Sequence, residues 1–153
     1  RLASIASDWR TALELAAQDP LGPRLAAAID GLQAAWTGAP RWDLAVAHGD
    51  FAPINVLLRP DGDLTLLDLH DVAIAPRLFD IAWWGWVVRF HHPAAWAAGW
   101  RDLVRAAGHE PDPSFDLACA WVGLIRCLEH AARADTAASR ARWLDRLRTT
   151  AAW

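Results

Sequence analysis

The chain contains no lysine: all 15 of its basic residues are arginine, and methionine and tyrosine are absent as well. Without an ε-ammonium group these residues cannot supply a Walker-type phosphate loop, a Schiff-base nucleophile or a lysine general base. Two explanations stand side by side. A GC-rich genome yields many Arg and Ala codons and few Lys codons, and a chain that starts at Arg1 is either processed or begins inside a longer protein. Cysteine is scarce too. Cys119 and Cys127 are eight residues apart in a helical pattern, a rise of about 12 Å, which is beyond disulfide reach. They are expected to be buried, unbridged thiols in a reducing cytoplasm. Long apolar runs are lacking. The longest, Ile81–Val88, is bounded by Asp80 and Arg89 and falls far short of the roughly 20 residues of a membrane span, and the N-terminus has no signal-peptide pattern. There is no basic cluster, and the net charge is −3, which removes the phosphate attraction that drives nucleic-acid binding. Neither a membrane nor a nucleic acid is expected as a partner.

What is present fits one domain of 153 residues able to bury roughly 70% of its unfolded surface. Residues 1–38 show apolar residues at helical spacing, with Ser7 as a cap and Asp19-Pro20 as a break, which predicts two helices. From Asp43 the texture changes to short apolar runs at 44–47, 56–58 and 64–67, separated by His48-Gly49-Asp50 and Pro60-Asp61-Gly62-Asp63, which predicts strands and turns. Helical spacing then returns near 78–91, 93–107, 114–133 and 138–150, with Pro93 at a first helical position and Ser114 as a cap. Two core stripes are expected, one from Asp80, Trp83, Trp84, Val87 and Val88 and another from Trp121, Leu124, Ile125 and Leu128. The fold class is α+β, mainly helical.

Asp61-Gly62 between two apolar runs is a strong hairpin signal. A two-residue loop there places Asn55 directly opposite Asp68, with Cβ atoms about 5 Å apart. Pro60 has no N–H and can lengthen the loop. Four residues, Pro60 to Asp63, keep that pairing, whereas three shift it. Asn55 and Asp68 either end strands, as Asn and Asp often do, or bring two hard oxygen donors to a magnesium site completed by phosphate oxygens. His48-Gly49-Asp50, five residues before Asn55, adds a third oxygen group at the same mouth. An Asp beside a metal-bound phosphate is suited to take the proton of an attacking hydroxyl.

These motifs resemble the aminoglycoside phosphotransferase and choline kinase-like family, small-molecule relatives of protein kinases. The resemblance rests on His48-Gly49-Asp50-Phe51-Ala52-Pro53-Ile54-Asn55, then Leu66-Leu67-Asp68-Leu69-His70-Asp71, then Leu78-Phe79-Asp80-Ile81-Ala82. It covers residues 43–92 by motif and the flanking helices by layout. It implies Asp50 as catalytic base, Asn55 and Asp68 as Mg2+ ligands, His48 as a scaffold for the loop, and Asp80 as an anchor accepting backbone hydrogen bonds from it. Asp71 is read as a solvated turn residue. In the family an N-terminal lobe precedes these motifs, with a phosphate-covering loop, a strand lysine and a helix glutamate. Here no Gly-x-Gly spacing and no lysine occur, and the spacing of the first forty residues predicts helices. Residues 1–153 are therefore expected to be the C-terminal lobe of a protein-kinase-like fold without its N-terminal nucleotide lobe, inactive alone.

The implied reaction moves the γ-phosphoryl group of ATP or GTP onto a hydroxyl of a small-molecule acceptor, with aminoglycosides, macrolides and related antibiotics as candidates. From Pro93 onward there are seven acidic residues and eight arginines, a weak case for a polycationic acceptor. Trp86, Trp96 and Trp100 are the tryptophans expected to be exposed and able to line an acceptor pocket. Zinc-ligand spacings and a nucleophile elbow are lacking, His91-His92 read as a helix end, and Glu14 and Glu129 as solvated helical acids. The rival readings are a kinase-like remnant or tryptophan-rich helical module that binds a small molecule or partner without catalysis, and a metal-dependent phosphohydrolase. Oligomeric state is not legible.

Overall fold

The computed structural model describes residues 44–111 and 113–153. The helices expected in residues 1–38, with Ser7 and Glu14, lie outside the described residues. The chain divides into two compact units, one of residues 41–115 and one that contains residues 116–153.

In the first unit, β1 (Leu44–Ala47) pairs antiparallel with β4 (Ala73–Pro76), and β2 (Val56–Leu58) pairs antiparallel with β3 (Leu64–Leu66). Helices α1 (Phe79–His91) and α2 (Pro93–Ala106) follow. Strands β1 to β3 stand where the apolar runs predict them, with β3 one residue shorter. The fourth strand was not foreseen, because Ala-Ile-Ala-Pro is short and weakly apolar. It pairs Val46 with Ile74 and Ala47 with Ala73, and so fixes the chain just before His48.

The hairpin register differs from the one the Asp-Gly pair suggests. Val56 faces Leu66 and Leu58 faces Leu64, so Asn55 lies opposite Leu67, whose N–H donates to the Asn55 carbonyl at 2.9 Å. The loop is Pro60-Asp61-Gly62. Arg59 N–H donates to the Asp63 carbonyl at 2.8 Å and Gly62 N–H to the Arg59 carbonyl at 3.0 Å. Gly62 has φ +90°, the left-handed residue that closes a three-residue hairpin loop. The physical reason is Pro60: in a two-residue loop it would have to donate an N–H it does not possess.

Helix α1 buries Phe79, Ala82, Trp83 and Trp86, positions spaced i, i+3, i+4 and i+7, while Trp84, Val87 and Val88 are only partly covered. The buried stripe is thus turned from the expected one, sharing only Trp83. Trp86, at 1% exposure, and Trp96, at 7%, are buried, contrary to the expected exposure, and Trp100 is half-buried. The reason is ring stacking. Trp86 lies between Trp83 (4.8 Å, 9°) and Phe90 (5.1 Å, 22°). Trp96, Trp100 and Phe115 form a second cluster with centroids 6.0 to 6.3 Å apart. His91 ends α1, and His92 caps both helices, donating to the Val88 carbonyl and accepting from Trp96 N–H.

The second unit holds most of α3 (Pro113–Arg133) and all of α4 (Ala137–Ala151). Helix α3 opens one residue before Ser114. Trp121, Leu124, Ile125 and Leu128 are buried, as their spacing predicts, but so are Val122, Arg126 and Cys127, and a helix covered on all sides is an interior one. Glu129, expected to be solvated, is 9% exposed and accepts from Arg126 Nη1 at 2.6 Å. Thr136 caps α4 by accepting from Ser139 N–H at 3.1 Å, and Trp143 stacks on His130 at 4.2 Å. Among the described residues no helix is long and apolar enough to cross a membrane.

Both cysteines are fully buried. Burial pushes the Cys127 thiol up to about 12, only partly opposed by the charges of Arg146 and Arg126, and a neutral thiol is a poor nucleophile. A disulfide reagent at pH 8 is therefore expected to label neither cysteine in the folded chain and both in denaturant. Fast labelling of native protein would contradict the burial.

Candidate active site

The site is built on the loop that follows β1. Gly49 adopts φ +85°, a conformation only glycine takes at little cost, and this turns the two preceding amides toward α1. Asp80, in the first turn of that helix, receives them: its Oδ2 accepts from His48 N–H at 2.7 Å and its Oδ1 from Gly49 N–H at 3.0 Å. Hydrogen bonds to a charged acceptor contribute about 1.5–3 kcal/mol each, and unmade buried donors cost a similar amount.

His48, 7% exposed, uses both ring nitrogens. Its Nε2 lies 2.8 Å from the Leu67 carbonyl oxygen, and its Nδ1 accepts from Asp50 N–H at 3.3 Å, so the Nε2–H tautomer satisfies both contacts. The ring thereby ties the loop to the residue immediately before Asp68.

Asn55 closes the loop from its far end. A short 3-10 turn at Pro53–Asn55 presents the amide, and Asn55 Nδ2 donates to the Asp50 carbonyl at 2.9 Å and to Asp50 Oδ2 at 3.0 Å. The other carboxylate oxygen of Asp50, Oδ1, accepts from Trp83 Nε1 at 3.0 Å. Asp50, Asn55, His48 and Asp80 are therefore one connected constellation.

Asp68 sits just past β3 with φ 59° and ψ 63°, the only non-glycine residue with positive φ among those described. Such a conformation is uncommon, Asp being one of the residues that tolerates it, and held strain of this kind clusters at functional sites. Its side chain is 47% exposed, and Oδ1 contacts His70 Nδ1. Asp71 is 12% exposed and lies 3.9 Å from His70 Nε2, so it is mostly covered rather than solvated.

The donor set suits a hard cation. Because Asn55 directs its Nδ2 at Asp50, its Oδ1 is the atom left for a ligand, and Asp68 supplies a partly exposed carboxylate. Among the described residues no cluster of three or more His, Cys, Asp or Glu side chains is arranged to hold a metal. Magnesium does not need one, since it binds through one or two protein oxygens together with phosphate and water. Trp83, read from sequence as a core residue, is the contact that sequence reasoning missed. The signal was available, because Asp80 and Trp83 are three apart and share a helix face.

A loop, a hairpin and a helix thus meet through hydrogen bonds between side chains and backbone. The chain belongs to the phosphotransferase enzyme family: a profile of that family matches residues 2–115. The match extends on both sides of the three motifs. Comparison with curated proteins and with solved structures gives no match.

Asp80 is expected to carry the local stability of the loop. Asp80→Ala should lower unfolding free energy by roughly 2 kcal/mol or more, and Asp80→Asn, which keeps only one acceptor oxygen, by less. Urea denaturation measures both, and an unchanged midpoint in Asp80→Ala would show that the two backbone bonds contribute nothing.

Proposed function

We propose that this chain is the catalytic and acceptor-binding lobe of a phosphotransferase that moves the γ-phosphoryl group of ATP or GTP onto a hydroxyl of a small molecule. The observation that carries the reading is the Asp50 carboxylate, held by Asn55 Nδ2 at 3.0 Å in a loop that the His48 ring ties to Leu67, the residue before Asp68. In this reading Asp50 accepts the proton of the acceptor hydroxyl as that oxygen attacks phosphorus and the bond to the departing diphosphate breaks. Catalysis of this class is mainly positioning and charge stabilisation. His48 and Asp80 hold the backbone of the loop, and Asn55 and Asp68 are the residues that would hold Mg2+. When bound, the ion supplies charge neutralisation on the phosphates.

The nucleotide-gripping lysine and phosphate-covering loop that such a reaction calls for are proposed to come from a nucleotide-binding lobe outside these 153 residues. Among the described residues, eleven of the twelve exposed large hydrophobic side chains lie between Leu44 and Ile74. Val46, Leu66, Leu69 and Val72 line an open cavity of about 330 Å³ beside His48 and Asp80. A concentration of apolar surface of this kind marks an interaction face, and the lobe is the partner that the reaction requires. Aminoglycosides, macrolides and related antibiotics are the acceptors to screen first.

In the nucleotide-competent enzyme, Asp50→Asn should lower turnover by at least about a hundredfold while nucleotide affinity stays near wild type. Retained turnover would remove Asp50 as base. Asp68→Asn should instead weaken nucleotide binding in the presence of Mg2+ and leave magnesium-free binding unchanged, which calorimetry resolves. The 153 residues alone should transfer no phosphoryl group. Phosphate released from a phosphomonoester without any nucleotide would favour a phosphohydrolase instead.

A further inference from the structure

We propose that Trp83 is a positioning residue for Asp50, its indole N–H fixing the orientation of the carboxylate; the inference rests on Asp50 being the base of the proposed reaction. Carboxylate torsions are broad and two-fold, so a carboxylate held at one oxygen can swing about that contact. Here the two oxygens are held from different elements. Asn55 donates to Oδ2 at 3.0 Å from the end of the loop, and Trp83 donates to Oδ1 at 3.0 Å from α1. Indole is a donor only, so this contact has one polarity, unlike one made by an amide or hydroxyl.

The donor is itself immobile. Trp83 is 3% exposed and lies flat on Trp86, with centroids 4.8 Å apart and planes 9° apart, and Trp86 stacks in turn on Phe90 at 5.1 Å. The column transmits the rigidity of α1 to a single N–H. That helix therefore acts on the loop twice from one face: Asp80 fixes the backbone at His48 and Gly49, and Trp83 fixes the side chain at Asp50. A tryptophan kept for packing alone also buries its N–H on whatever acceptor is near, so the two roles have to be separated by experiment.

Trp83→Phe keeps an aromatic ring on Trp86 and removes the N–H donor together with part of the ring area, and Trp83→Tyr, whose hydroxyl is itself a donor, serves only to assign the resonance where Phe does not support folding. In ¹H–¹⁵N spectra of this chain, the indole resonance missing from the Trp83 variant is assigned to Trp83. In Asp50→Ala that resonance should move upfield by more than any other indole signal. A Trp83 signal indifferent to Asp50→Ala overturns the contact. In the nucleotide-competent enzyme, Trp83→Phe should lower kcat by about ten- to a hundredfold with KM for nucleotide and acceptor near wild type, the split expected when a reacting group is misaligned and binding is intact. Unchanged kcat, or a loss confined to KM, overturns the positioning role even if the spectral coupling is present. Turnover retained by Asp50→Asn would instead remove the base assignment and leave the indole contact standing, so the two failures are distinguishable.

Discussion

The site depends on one carboxylate. Asp80 gathers two backbone N–H groups from a loop that lies more than thirty residues earlier in the chain, and backbone donors in a part-buried segment must find partners or destabilise it. Once His48 and Gly49 are held, the rest of the constellation follows from short links. The His48 ring bridges Asp50 N–H and the Leu67 carbonyl, and the Asn55 side-chain amide returns to the carbonyl and the carboxylate of Asp50. The loop, the end of the hairpin and the start of α1 are thereby tied together by side chains rather than by a continuous sheet, since each described sheet has only two strands.

This construction suits a reaction in which the protein aligns groups more than it performs covalent chemistry. Asp50 and Asn55 belong to a stretch whose backbone is fixed at one end by Asp80 and at the other by the 3-10 turn. Asp68 stands on a left-handed residue directly after the carbonyl that His48 holds. A substitution at Asp80 thus reaches Asp50 without touching it. Four of the exposed apolar side chains, Val46, Leu66, Leu69 and Val72, line the cavity beside His48 and Asp80, so a partner seated there would approach the constellation directly.

Much of this was legible in the residues, for identifiable reasons. The four C-terminal helices are marked by long periodic patterns and by Pro93, and the three motifs by polar residues that interrupt apolar runs at fixed spacing. The family that those motifs resemble is the one the chain belongs to. What failed depended on tertiary context. Register turned on a missing N–H at Pro60, which moved Asn55 from opposite Asp68 to opposite Leu67. Strand β4 was hidden because its four residues gain their identity only by pairing with β1. The buried face of α1 was misjudged because Asp80 needs the loop, which turns Phe79 and Ala82 inward and leaves Trp84, Val87 and Val88 partly covered. Composition likewise cannot tell a tryptophan stacked on its neighbours, as Trp86 and Trp96 are, from one that lines a pocket. The missing lysine began as an exclusion and becomes, under the proposed reading, a pointer to where the rest of a nucleotide site has to be supplied.

The most direct test of this account is amide hydrogen exchange at His48 and Gly49. Both lie in a loop, and loop amides ordinarily exchange fast. If Asp80 holds the constellation together, these two amides exchange as slowly as the amides of α1, and they speed up together in Asp80→Ala. Exchange as fast as that of Asp61 and Gly62 at the hairpin tip would contradict the account, because the loop would then be open most of the time and Asp50 would have no fixed place.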